Sequence, residues 1–141
     1  MDFMSDCLMN GRRLCMLTVV YPYDRCCPVI EGDHSLTGER VARVLERLNV
    51  LGQCPAIIRT DNGPEFTGKA LGLWANGWGV RLEFIRPGKP TENGHIESFN
   101  GRFREECLNA RAFFSLAEAR RVVEAWRQDS TPCARTVPSA V

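Results

Sequence analysis

Pro55-Ala56-Ile57-Ile58-Arg59-Thr60-Asp61-Asn62-Gly63-Pro64 starts as a short apolar, β-branched run and ends in residues that form turns. Such a run fits a short buried strand, and Asn-Gly-Pro stops it. Asp61 is thereby left at the carboxyl end of a strand, the edge at which α/β sheets hold their ligands. Upstream, Leu14-Cys15-Met16-Leu17-Thr18-Val19-Val20-Tyr21 is a nearly continuous apolar run, the pattern of a strand buried on both faces. Gly11-Arg12-Arg13 supplies a hairpin turn from a first strand in Asp2 to Leu8, and Cys26 to Glu31 completes a three-stranded meander. Val41, Val44, Leu45 and Leu48 then recur at helical spacing, which predicts an amphipathic helix over 37–51.

Downstream of Asp61, the spacing predicts a helix over 65–77 with Phe66, Ala70, Leu73 and Trp74 on its apolar side, then an alternating strand through Val80, Leu82 and Phe84. Arg86 to Gly94 is a polar, Pro- and Gly-rich connection, longer than a tight loop and hence a candidate functional loop. Ile96, Phe99, Phe103 and Cys107 mark the next helix. Ser115-Leu116-Ala117-Glu118 is a capping box, and it opens a last helix carrying Ala119, Val122, Val123 and Trp126. The order of elements is that of an α/β domain.

With 141 residues, 44% hydrophobic and 25% charged, the chain can enclose a core in one domain, which excludes disordered and fibrous classes. Its longest apolar stretch is too short to cross a bilayer and Met1-Asp2-Phe3 is no signal segment, so a cytoplasmic protein without a membrane partner is expected. The net charge of +1 gives no overall field for nucleic acid, so any such partner must be recognised by local residues. Seven cysteines without a C-x-x-C pair read as buried, reduced thiols, and His34 and His95 are too isolated to complete a zinc site.

Three carboxylates stand out by position: Asp2 in the first strand, Asp61 past a buried strand, and Glu97 in the first turns of the helix after the loop. If the first and fourth strands are parallel neighbours, Asp2 and Asp61 point into one cleft and Glu97 leans in beside them. Such a cluster stays ionised only around a cation, and its hard oxygens suit Mg²⁺. Two such ions about 4 Å apart activate an attacking oxygen and stabilise the leaving oxygen of a phosphodiester. Taken singly, each acid also has an ordinary reading: a turn residue, a helix-dipole partner, a solvated terminus.

Asp2-Phe3, Thr60-Asp61-Asn62-Gly63-Pro64-Glu65-Phe66 and Gly94-His95-Ile96-Glu97-Ser98-Phe99-Asn100-Gly101 resemble the three signature segments of the DDE-type integrase catalytic core in bacterial insertion-sequence transposases, relatives of retroviral integrases. Thirty-five residues separate Asp61 from Glu97, as in that family's triad. The resemblance runs from Asp2 to about Asp129. It implies a ribonuclease-H-like α/β fold, a five-stranded mixed sheet flanked by helices. It also implies that Asp2, Asp61 and Glu97 are the catalytic metal ligands, with Mg²⁺ or Mn²⁺ as cofactor and two ions in the active complex. The chemistry implied is cleavage at transposon ends followed by strand transfer into target DNA. DNA is then the expected partner, with self-association or association with full-length transposase beside it.

Asn62, Lys89, Asn93 and His95 fall in segments bordering that cleft, and Asn100, Arg102 and Arg104 follow Glu97 on its helix. All seven are expected to contact DNA, phosphates first. The competing readings are a helix cap for Asn93, a solvated face for Arg102 and Arg104, and a packing role for His95.

Against the family pattern, only Met1 precedes Asp2, and residues 130–141 lack the family's Arg-Pro-His-Ser segment. The expectation is therefore a truncated core over 1–129 followed by an aberrant, disordered tail, the product of a shifted reading frame that the coding DNA would reveal. The alternative to an active core is a folded remnant that associates with DNA or intact transposase and does no chemistry.

Overall fold

The computed structural model describes residues 1–21, 26–52, 55–61, 63–85 and 94–131, apart from the side chains of Pro64, Glu65 and His95. Its elements follow the order β1 (Asp2–Cys7), β2 (Arg13–Val19), β3 (Val29–Asp33), α1 (Gly38–Val50), β4 (Ile57–Thr60), α2 (Pro64–Thr67), α3 (Lys69–Trp78), β5 (Arg81–Phe84), α4 (Gly94–Phe103) and α5 (Leu116–Ser130). The chain is thus α/β.

Every residue from Leu14 to Tyr21 is buried, because β2 sits between two cores. Cys15, Leu17 and Val19 pack with Val41, Val44, Leu45 and Leu48 of α1 and with Leu71 and Ala75 of α3. Leu14, Met16 and Val20 pack with Ile96, Phe99 and Phe103 of α4 and with Ala119 and Val123 of α5. This division follows from the two-residue period of a strand, which sends alternate side chains to opposite faces. Thr18 shares the period of Leu14, Met16 and Val20, so a hydroxyl enters the α4 side of the sheet.

The helices start where their caps allow. Thr37 Oγ1 accepts the Arg40 N–H at 3.2 Å ahead of α1, and Ser115 Oγ accepts the Glu118 N–H at 3.1 Å ahead of α5. Gly79, at φ +68°, takes the left-handed conformation that ends α3 and turns the chain into β5. The helix expected over 65–77 is instead two, broken at Gly68, whose extended backbone caps α3. Phe66 is buried and Trp74 half-buried against the core as expected, but Leu71 and Ala75 are buried where Leu73, expected on the apolar side, is exposed. After Phe103 the helix widens into a π turn, Arg104–Leu108, which buries the consecutive residues Cys107 and Leu108.

The five-stranded sheet is also corrected. The described strands form an antiparallel sheet β1-β2-β3 and a separate parallel pair β4-β5. Just ahead of β1, the Met1 ammonium donates to Arg59 O of β4 at 3.0 Å. A stack of Phe3 on Phe66, with centroids 4.7 Å apart, holds the same corner together. Among the cysteines, Cys15, Cys27 and Cys107 are buried free thiols and Cys7 is an exposed one. Cys26, by contrast, is disulfide-bonded, a pairing that sequence spacing does not reveal. Among the described residues no helix is long and apolar enough to cross a membrane. Residues 132–141, nearly all of the expected aberrant tail, lie outside the described set.

Phe66 is 1% exposed and props the start of β1. Phe66→Ala is expected to lower unfolding free energy by about 3–5 kcal/mol in urea titration, the usual cost of an aromatic-sized cavity.

Candidate active site

The register of β1 on β2 sets Asp2 opposite Thr18, and cross-strand partners project to the same face. That face is covered by α4, where Ile96, Phe99 and Phe103 anchor the helix and leave Asn100 turned toward the sheet. Asn100 Nδ2 donates to Asp2 Oδ2 at 3.1 Å, and Thr18 Oγ1 donates to Asn100 Oδ1 at 2.9 Å. Asp2 Oδ1 accepts the Phe3 N–H at 2.8 Å. Asp2 is only partly exposed, while Asp61 and Glu97 are exposed.

Asp61 follows β4 and accepts the Gly63 N–H on Oδ1 at 2.9 Å, the local turn expected of an Asp before a turn-forming segment. Glu97 lies in the first turn of α4, three residues before Asn100, and so on the same side of the helix. Asp61 and Glu97 are near enough to Asp2 for their charges to act on it. Burial first, and then the negative charges of Asp61 and Glu97, raise the Asp2 carboxyl above its ordinary value, against the opposing pull of the Phe3 N–H. Among the described residues no three carboxylate, imidazole or thiol side chains stand close enough to share one metal ion. The oxygens are nonetheless the hard donors that Mg²⁺ takes, and a rotamer change is cheap for the exposed Asp61 and Glu97.

The other residues singled out in the sequence divide. Asn100 is buried and committed to Asp2 and Thr18 rather than presented to solvent. Arg102 donates to Glu106 Oε2 at 3.1 Å and to Ser130 O at 2.9 Å, and its guanidinium lies 5.5 Å from the Trp126 ring centre. Arg104 donates to Ser5 O at 3.2 Å. Both arginines are therefore engaged within the chain. Asn62, Lys89 and Asn93 lie outside the described residues, as does the side chain of His95. Thr18 was not anticipated; the available signal was a lone hydroxyl on the Leu14-Met16-Val20 face of an otherwise apolar strand.

An α/β core of this form is that of retroviral integrase catalytic domains. The chain superposes on bovine immunodeficiency virus integrase with a TM-score of 0.65 at 13% identity, covering 96% of this chain and 87% of that one. It superposes on the HTLV-2 integrase catalytic core, solved with magnesium in a trimeric form, with a TM-score of 0.58 at 18% identity, covering 89% and 82%. For the simian T-cell lymphotropic virus intasome, in complex with PP2A regulatory subunit B56 gamma, the TM-score is 0.64 at 22% identity, covering 77% and 38%.

Two family profiles, both described as integrase core domain, match residues 1–90 and 78–129, and the chain belongs to that family. It is 52% identical over 128 residues to the insertion element IS407 uncharacterized 31.7 kDa protein of Burkholderia multivorans, covering 91% of this chain and 46% of the relative. It is 47% identical over 128 residues to the insertion element IS476 uncharacterized 39.2 kDa protein of Xanthomonas euvesicatoria, covering 91% and 37%. The chain thus spans less than half the length of either relative.

The raised Asp2 pKa has a sign that can be checked. The folded state holds its proton more tightly than the unfolded state, so this stabilising contribution is complete below the ordinary Asp value and lost as pH rises through the folded pKa. Asp2→Asn removes that loss. The variant is expected to show a shallower fall in stability across the same window, read by calorimetry at several pH values.

Proposed function

We propose that this chain is the catalytic core of an insertion-element transposase, cutting and joining DNA at a site formed by Asp2, Asp61 and Glu97. One observation carries the reading: in a member of the integrase core family, the signature residue Asp2 opens β1 and is tied by its bond to Asn100 to α4, the helix whose first turn carries Glu97. Asp2, Asp61 and Glu97 would hold Mg²⁺ or Mn²⁺, two ions in the active complex. The magnesium-bound HTLV-2 core supports that choice. When bound, the metal supplies Lewis acidity at the phosphodiester and lowers the pKa of the attacking water or 3′ hydroxyl.

The chain's own residues bind and orient. Asp2 at the start of β1, Asp61 after β4 and Glu97 in the first turn of α4 would supply the carboxylates, with the Asn100 amide donating to Asp2. DNA, as transposon end and target, is the proposed substrate, and Asn62, Lys89, Asn93 and His95 are proposed to contact it. Further copies of the chain or a full-length transposase are proposed partners, a reading supported by the intasome and trimeric forms of the viral integrases. The second reading is a folded remnant without chemistry. It draws on the same acids standing too far apart, as placed, to share one ion.

A branched DNA that mimics the joined product tests both readings. With Mn²⁺, the parent is expected to split and reseal the branch, and Glu97→Gln and Asp61→Asn are expected to fold normally with activity down at least 100-fold, because a neutral amide is a poor ligand for the cation. A well-folded parent that leaves the branch intact would favour the remnant.

A further inference from the structure

We propose that Thr18 and Asn100 are positioning residues that act as a pair on Asp2, holding its carboxylate in the orientation a divalent cation requires. The inference rests on the metal-site reading above and extends it to residues 82 positions apart, on β2 and α4. Thr18 is 0% exposed and Asn100 9% exposed, and burying two polar side chains in an apolar layer is costly unless each finds a partner. They find each other at 2.9 Å and Asp2 at 3.1 Å.

The direction of the chain of bonds is fixed by chemistry. An ionised carboxylate only accepts, so the Asn100 amide must turn its Nδ2 to Asp2, which leaves Oδ1 to take the Thr18 hydroxyl proton. With Phe3 N–H on Oδ1 and Asn100 on Oδ2, each oxygen of Asp2 has one donor, which holds the carboxylate while further lone pairs remain for a cation. A neutral amide suits this task. An Arg or Lys in place of Asn100 would hold the carboxylate equally well but would neutralise the charge that attracts the metal. Asn100 also lies one turn along α4 from Glu97, so the pair ties the β1 acid to the helix that carries the third.

Mn²⁺ titration of the full chain, followed by loss of the free-ion electron paramagnetic resonance signal, tests the pair without relying on catalysis. Thr18→Val and Asn100→Leu remove the relay at different ends, so a folding failure in one leaves the other to read. Each is expected to raise the Mn²⁺ Kd about 10-fold, the scale seen when a hydrogen-bond partner of a metal ligand is removed. The double variant is expected to bind no more weakly than Asn100→Leu alone, and Thr18→Ser, which keeps the hydroxyl, is expected to bind as the parent does. Variants that melt earlier but keep the parent Kd would mean a structural role only and would overturn the proposal. If Glu97→Gln weakens Mn²⁺ binding while the relay variants do not, the metal site stands and the relay fails. A parent without saturable Mn²⁺ binding, or one indifferent to Glu97→Gln, overturns the metal site itself and the relay with it.

Discussion

The constraint on which the rest depends is the burial of β2 on both faces. A strand with water on neither side needs a cover on each, and α1 with α3 supplies one while α4 with α5 supplies the other. Each cover then places part of the site. The α4 layer brings Glu97 and Asn100 over the sheet, and the opposite core seats β4, whose end carries Asp61. Asp2 needs no helix to place it, since its register against Thr18 does so. The price of burying Thr18 in this strand is met by Asn100, and the bond that offsets it also holds the acid.

Burial first, and then the charges of Asp61 and Glu97, raise the cost of ionising Asp2, while the Phe3 N–H at 2.8 Å and the Met1 ammonium lower it. Several acids elsewhere are paired with bases. Glu31 accepts from Arg47 at 2.6 Å and meets Arg40 at 3.2 Å, Asp33 meets Arg40 at 2.8 Å, and Glu124 meets Arg127 at 2.6 Å.

Much of the fold was legible because it is written in short-range periodicity. The apolar run at Leu14–Tyr21, the α1 stripe and the stripe from Ile96 to Cys107 all appear in the structure as buried faces. The serine of the capping box closes α5 as expected. What escaped depends on geometry that local pattern does not encode. The helix expected over 65–77 breaks at one extended glycine, the π turn adds a residue to a helix whose composition looks ordinary, and Cys26 finds a partner that spacing does not announce. The described strands divide into two sheets because β1 and β4 are not paired in a ladder, a matter of where two strands overlap rather than of what either contains. In the site, the three acids were identifiable by position and motif, whereas the use of Asn100 inward, and of Thr18 at all, required knowing that β1, β2 and α4 meet at Asp2.

The central claim is that Asp2, Asp61 and Glu97 form one cation site at that meeting point. A crystal structure of the protein grown with Mn²⁺, with anomalous scattering recorded at the manganese edge, addresses it directly. The account predicts anomalous density at coordination distance from Asp2 Oδ2, with Asp61 or Glu97 rotated in to share the ion and the Asn100 bond to Asp2 intact. Density bound only by other residues, with Asp2 left unligated in a saturated crystal, would contradict it.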